Sequence, residues 1–221
     1  MQTEEILSVN TILIADDHPL IQQYLTQVLV RLNPESEILT SNTMVKTIQL
    51  VKSKPVDLLL LDIMLDDGIS IGSIDLLKRI QHDMKILVLS TYSADAYGNR
   101  AILLGADGYL DKKVPLNELV EAIKTVLSGQ KYLRKDLIYG LAFPNKKTNF
   151  AKNPFEVLTN REFEIVVLIL QGKSISEIGV IINLQRSTVS THKMKILEKL
   201  NVTNILELQA LATKFNISLA P

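Results

Sequence analysis

Apolar residues fall along this chain in two different rhythms. Up to about residue 128, short and nearly continuous apolar runs alternate with helical spacings. "TILIA" at 11–15, "DLLLLD" at 57–62 and "KILVLS" at 85–90 have the composition of strands buried on both faces of a parallel sheet. A weaker run at 36–40 and "DGYLDK" at 107–112 complete five predicted strands. Between them, Ile21, Leu25, Val28 and Leu32 share one helix face, as do Leu116, Leu119, Ile123 and Val126. The alternation predicts a doubly wound, five-stranded parallel α/β sheet over residues 10–128, with its chemistry at the carboxyl ends of the strands.

The second rhythm begins after an interruption. Residues 129–157 gather Pro144, Pro154, asparagines and lysines with neither period, and read as a linker holding a short helix near 134–141. From 158 to 221 only helical spacing remains, which predicts an all-α domain of four helices at 159–171, 174–182, 186–200 and 204–215. Ser174 followed by Glu177 marks the start of the second of these as a capping box.

Charge separates the same two halves. Residues 1–129 carry 11 Lys and Arg against 17 Asp and Glu, a net of −6, and the remainder carries 13 against 7, a net of +6. A basic half invites a polyanion as partner. The chain has no cysteine, which excludes disulfide scaffolds and thiolate metal sites. The opening "MQTEEILSVN" lacks the basic start and apolar stretch of a secretory signal, and no apolar run reaches the length of a membrane helix. A soluble, cytoplasmic protein without a membrane partner is the expectation.

Four of the predicted strands end on residues that bear chemistry. Asp16 and Asp17 follow the first strand, Asp62 ends the third, Ser90 the fourth and Lys112 the fifth, so all five residues converge on one sheet edge. Crowded carboxylates raise one another's pKa and call for a hard dication with oxygen ligands, for which Mg²⁺ is the natural choice. Mg²⁺ and Lys112 together balance three carboxylates, leaving a neutralised site for a phosphoryl group with one carboxylate as nucleophile. Taken singly, each residue has an ordinary use. An Asp-Asp pair commonly caps a helix, and Asp17 is expected to cap the helix starting near Pro19 as well. It is their arrangement on successive strand ends that favours the phosphoryl site.

Here the chain resembles the receiver domain of two-component response regulators, the CheY-like fold, through "IADDHP" at 14–19, Asp62 after its apolar strand, "ILVLS" at 86–90 and "GADGYLDK" at 105–112. The resemblance implies that Asp62 accepts a phosphoryl group from a histidine kinase. It further implies that Asp16 and Asp17 serve the Mg²⁺ site with Asp62, that Lys112 pairs with the phosphoryl group, and that Ser90 and Tyr109 form a switch pair. One departure stands out. Receivers usually carry proline four residues after the phosphorylated aspartate, whereas this chain has Asp66 there, in a stretch, "DIMLDDGISIGSIDLL", a few residues longer than usual. Asp66 and Asp67 are expected to bear on the pocket, by weakening donor binding or by adding to cation attraction.

In the basic half, "SISEIGVIIN" (174–183), a turn at Leu184-Gln185 and "RSTVSTHKMKILEKL" (186–200) form a supporting helix, a tight turn and a second helix with short polar and basic residues at its start. This is a helix-turn-helix pattern, with Val189, Ile196, Leu197 and Leu200 facing the core. Short hydroxyl side chains let such a helix approach base edges, lysines neutralise phosphates, and Met194 can contact a thymine methyl. The stretch 158–211 resembles the LuxR-type effector domain of NarL/FixJ response regulators, through Leu158-Thr159, Arg161-Glu162, Gly172, Ser174, Glu177-Ile178, Thr188-Val189, His192 and Lys199-Leu200. The resemblance implies that Ser190, Thr191 and Met194 face bases, and that Lys193, Lys195 and Lys199 contact phosphates. It also implies dimerisation on phosphorylation, with the last helix as contact. Gly179 stands where that family usually has alanine, and a mid-helix glycine is expected to loosen the supporting helix by about 0.5 to 1 kcal/mol.

The reading that follows is a phosphorylation-controlled transcriptional regulator, not an enzyme acting on an external substrate. An aspartyl-phosphate hydrolase usually carries a second acid two residues after its nucleophile, where this chain has Met64. A regulator that works through protein contacts without phosphorylation is the other alternative, supported only by the unusual loop at 65–72.

Overall fold

A computed structural model describes residues 9–92, 94–133 and 153–217, with 94–96 described as backbone only. The short helix expected near 134–141 lies outside the described residues. Contacts divide the chain into two units, one of residues 1–91 with 101–134 and one of residues 92–100 with 135–221.

The first unit is built on strands β1 (Thr11–Ala15), β2 (Glu37–Ser41), β3 (Leu58–Leu61), β6 (Lys85–Ser90) and β7 (Gly108–Asp111), all parallel, in the order β2-β1-β3-β6-β7. The intervening helices are α1 (Pro19–Leu32), α2 (Met44–Ser53), α3 (Ile74–Ile80), α4 (Ala94–Leu103), whose residues 94–100 are grouped with the second unit, and α5 (Leu116–Leu127). β1 and β3 are buried along their whole length, which is why their sequences are unbroken apolar runs without alternation. Ile12, Ile14, Leu58, Leu60, Leu87 and Leu89 meet Leu25 and Leu29 of α1 and Leu119, Ile123 and Val126 of α5 in one core cluster. Each such side chain contributes about 1.5 to 3 kcal/mol by leaving water.

Strand order reverses at β1 and β3, and the crevice outside the ends of these two strands is where Asp16 and Asp62 emerge. The longer stretch after Asp62 folds as a small antiparallel hairpin, β4 (Met64–Leu65) and β5 (Gly68–Ile69), turned at Asp66 and Asp67. Gly68, at φ 120°, supplies the backbone conformation that this tight turn requires after its two aspartates.

The second unit carries α6 (Asn160–Leu170), α7 (Ile175–Ile181), α8 (Arg186–Lys199) and α9 (Ile205–Lys214). Capping boxes open two of them, Thr159 with Glu162 for α6 and Ser174 with Glu177 for α7. Ile165, Val166, Ile178, Val189, Ile196 and Leu208 are among its fully buried side chains. Within this unit the Arg100 guanidinium donates to the carbonyls of Phe155 (3.1 Å) and Leu158 (2.9 Å) and lies 4.4 Å from the centre of the Phe163 ring, which accounts for the grouping of residues 92–100 here. Among the described residues, no helix is long and apolar enough to cross a membrane.

Candidate functional site

The strand ends of the first unit bring the expected charged residues together. Asp16 leaves β1 with its N–H donating to Ser41 O at 3.0 Å, and the Asp62 N–H donates to Ala15 O at 2.8 Å, so backbone bonds fix both aspartates to the neighbouring strand. Both are buried, at 2% and 4% exposure. The Lys112 ammonium reaches in between them, 2.6 Å from Asp16 Oδ2 and 2.6 Å from Asp62 Oδ2.

Burial pushes the Asp62 carboxyl up to about 6, opposed by the Lys112 ammonium and reinforced by the Asp16 carboxylate. Burial also works against the charge on Lys112, but the Asp62 and Asp16 carboxylates outweigh it and hold that pKa above the usual lysine value. A single ammonium facing several carboxylates leaves net negative charge in a buried place.

Asp17 completes the group in an unexpected way. The N-cap of α1 is His18, with no side-chain cap, so Asp17 does not cap that helix as the sequence suggested. Asp17 Oδ1 is shielded from solvent and accepts no aligned hydrogen bond, although His18 Nδ1 lies 2.6 Å away. Ligand atoms of Asp16, Asp17, His18 and Asp62 all lie within 4.8 Å of one another. A shielded carboxylate oxygen with no aligned hydrogen bond, inside a cluster of three carboxylates and an imidazole, is chemistry that suits a hard divalent cation. His18 was not among the expected ligands. The "DDHP" run placed it next to the pair, but only the backbone path out of β1 turns its ring onto Asp17.

Ser90 and Tyr109 are both buried on adjacent strands, Ser90 as the last residue of β6 and in register with Asp111, Tyr109 two residues before the end of β7 and in register with Val88. Asp66 and Asp67 do not face the pocket, contrary to expectation. Asp67 accepts the N–H groups of Met44 (2.7 Å) and Val45 (3.0 Å), and Asp66 is bonded to Asn42 through its N–H and its carboxylate.

In the second unit, α7 and α8 are joined by a turn in which Asn183 takes φ 52° and the Leu184 N–H donates to Gly179 O at 2.8 Å. Arg161 of α6 donates to Ile182 O at the end of α7 and pairs with Glu164 at 2.6 Å, fixing the supporting helix from behind. Val189, Ile196 and Leu200 are buried and Leu197 is half-buried, as expected of the inward face. On the other face Thr191, Met194 and Lys195 are exposed, and Ser190 and Lys193 half-buried. The Thr191 hydroxyl donates back to Ser187 O at 3.0 Å.

Lys199, expected as a phosphate contact, is exposed and also paired within the domain. Its ammonium is bonded to both carboxylate oxygens of the buried Glu162, at 2.9 and 2.7 Å, and so ties the end of α8 to the start of α6. Sequence reasoning passed over Arg186, which is exposed at the first position of α8, a helix with no acid in its first turn. The signal was present in "QRSTVS": a basic residue at a helix N-terminus next to hydroxyls. Gly179, expected to loosen α7, has instead a steric role. A Cβ there would lie 2.7 Å from Leu184 O, inside the turn.

Comparisons with known proteins agree with this geometry. The family model described as "Response regulator receiver domain" matches residues 12–124, and that of "Bacterial regulatory proteins, luxR family" matches 156–212. The Fimbriae Z protein of Escherichia coli (strain K12) is 32% identical over 199 residues, covering 90% of this chain and 93% of its own. Response regulator GacA of Pseudomonas aeruginosa is 28% identical over 203 residues, covering 92% and 95%. In fold, the chain is similar to RcsB of Salmonella enterica serovar Typhimurium solved bound to promoter rprA with phosphomimetic BeF3⁻, with a TM-score of 0.71 at 20% identity over 96% of this chain and 100% of that one. Since the receiver model alone spans just over half of the 221 residues and a relative above 30% identity runs nearly end to end, the chain belongs to the response regulators that join a receiver domain to a LuxR-type DNA-binding domain.

Proposed function

We propose that Asp62 accepts a phosphoryl group from a histidine kinase and that its phosphorylation controls binding of α8 to promoter DNA. The observation that carries this reading is the Lys112 ammonium held 2.6 Å from both Asp62 and Asp16 in a buried, net-negative pocket. In the transfer, the nitrogen–phosphorus bond of the donor histidine breaks, an Asp62 oxygen forms the new oxygen–phosphorus bond, and the electron pair leaves with the imidazole. Lys112 then has one partner less strongly charged and is free to pair with a phosphoryl oxygen. Asp16, Asp17 and Asp62 are the residues that hold Mg²⁺, which when bound neutralises charge on the transferred group. Ser90, at the end of β6, and Tyr109, on β7, report the change as the switch pair.

On the DNA side, Ser190, Thr191 and Met194 face bases, and Lys193 and Lys195 contact phosphates. RcsB, a fold neighbour at 20% identity, was solved on promoter DNA with a phosphomimetic, which supports the same use here. The receiver spans 10–128, the linker 129–157 and the DNA-binding domain 158–221. The protein is cytoplasmic and homodimeric when phosphorylated, and catalyses only its own phosphorylation and dephosphorylation.

Intact-mass measurement after incubation with a small phosphoryl donor and Mg²⁺ tests the first half. A stable adduct of about 80 Da, lost in Asp62→Asn, is expected. Steady phosphate release without an adduct favours a hydrolase, and neither result favours a regulator working through contacts alone. Selection of random duplexes by the phosphorylated protein tests the second half, and no enrichment sinks the transcriptional reading.

A further inference from the structure

The hairpin after Asp62 is anchored at its base to the backbone around Asp62 and at its tip to α2. At its base, the Ser70 N–H donates to Ile63 O at 2.8 Å, and the buried Ser70 hydroxyl donates to the carbonyl of Asp62 itself. At its tip, the Asp67 carboxylate accepts the first two N–H groups of α2, from Met44 and Val45. Thr43 Oγ1 accepts the third, from Lys46. α2 has no acidic residue in its own first turn, so the negative charge that its dipole favours arrives from the hairpin. Asp66 adds a second tie, its N–H donating to Asn42 O at 3.0 Å and its Oδ2 accepting from Asn42 Nδ2 at 2.5 Å. Asn42 follows Ser41, whose carbonyl accepts the Asp16 N–H.

The contacts therefore close a ring, from Asp62 through the hairpin and α2 to residues 41–42 and back to Asp16. Met64, half-buried on β4 and two residues past the acceptor, is carried on this ring. We propose that Asp67, supported by Asp66, is a positioning residue for the phosphoryl site. By tethering the hairpin to α2 it holds Met64 and Asp16 in place around Asp62, and so lengthens the life of the aspartyl phosphate by keeping water from its phosphorus. This inference rests on phosphorylation of Asp62, as read above.

A plain helix cap and a tether make different predictions, and one double variant separates them. In Asp67→Ala both are lost. In Asp67→Ala with Lys46→Glu, the new carboxylate forms a capping box with Thr43 through the Thr43 N–H and returns negative charge to the first turn of α2, which offsets part of the lost stability while the hairpin stays untied. Phosphoryl loss from the purified full-length protein, followed by intact mass, is expected to quicken about fivefold in both variants, a barrier change of about 1 kcal/mol. The melting temperature is expected to recover in part, and in the double variant alone. Amide exchange of the metal-free protein is expected to rise over residues 64–69 in both. An unchanged lifetime in Asp67→Ala, a lifetime restored along with stability in the double variant, or unchanged exchange over 64–69 each overturns the tether. Failure of the wild-type protein to take up a phosphoryl group overturns the phosphorylation reading itself, which is a separate result.

Discussion

Lys199 Nζ lies 2.7 and 2.9 Å from the two carboxylate oxygens of Glu162, a residue only 3% exposed. The same carboxylate accepts from the Thr159 N–H at 2.8 Å and the Thr159 hydroxyl at 3.0 Å, so one acid caps α6 and anchors the end of α8. Removing the lysine strands a buried carboxylate. Lys199→Ala is expected to destabilise the DNA-binding domain by about 1 to 3 kcal/mol. A lysine bound by both oxygens of one carboxylate is expected to keep that partner rather than a phosphate. The salt dependence of DNA binding should therefore stay as in the wild type for folded Lys199→Ala, and its slope should fall by about 1 for Lys195→Ala. Equal loss of slope in both variants would return Lys199 to the interface.

The Glu162 carboxyl also sets an acid limit on that domain. Burial alone would raise its pKa, but the hydrogen bonds from Lys199 and Thr159 and the lysine charge together hold it below the ordinary value of 4.5. A carboxylate whose folded pKa is depressed contributes stability that is present above its unfolded pKa and is lost as pH falls through the folded one. Thermal denaturation of the domain should thus show stability dropping below about pH 4.5. In Glu162→Gln that part of the acid dependence should be absent.

Asp62 has the opposite sign. Its folded pKa of about 6 lies above the unfolded 3.8, so in the metal-free protein its ionisation costs stability. The cost is absent below pH 3.8, grows as pH rises toward 6 and is complete above it. Asp62→Asn should therefore stabilise the metal-free protein near pH 7.5, by on the order of 2 kcal/mol, and not near pH 3.5, as read by thermal denaturation. Mg²⁺ should stabilise the wild type at about pH 7.5 and much less at about pH 5, since its ligand must be deprotonated. Calorimetry that finds Mg²⁺ binding equal at the two values would contradict the assignment of Asp62 as a ligand.

The pocket was legible in the sequence because a parallel sheet converts spacing along the chain into proximity. Once β1, β3, β6 and β7 were recognised as buried strands, Asp16, Asp62, Ser90 and Lys112 had to share an edge. The hairpin was not legible. Two adjacent aspartates near an acidic pocket look like part of it, and only the turn geometry sends the Asp67 carboxylate to the first N–H groups of α2 and that of Asp66 to Asn42. The pairing of Lys199 was hidden for a similar reason. Helical periodicity places it on an outer face, but not beside a carboxylate from a segment 37 residues earlier.

Gly179 is the position where local propensity and tertiary contact give opposite answers. In an isolated helix, alanine would be better by about 0.5 to 1 kcal/mol. In this domain an added Cβ meets Leu184 O at 2.7 Å, a backbone atom held in place by its own N–H bond to Gly179 O. The turn has no flexible side chain that can yield, so α7 and α8 must move apart. Gly179→Ala is expected to cost about 1 to 3 kcal/mol net, as overpacking outweighs propensity. Because that movement tilts α8 against its support, DNA affinity of the folded variant should fall as well, with Val180→Ala as a control on the exposed side of the same helix. Thermal denaturation and a DNA titration of the two variants check this, and a Gly179→Ala protein more stable than the wild type would mean that the turn accommodates a methyl group and that propensity prevails.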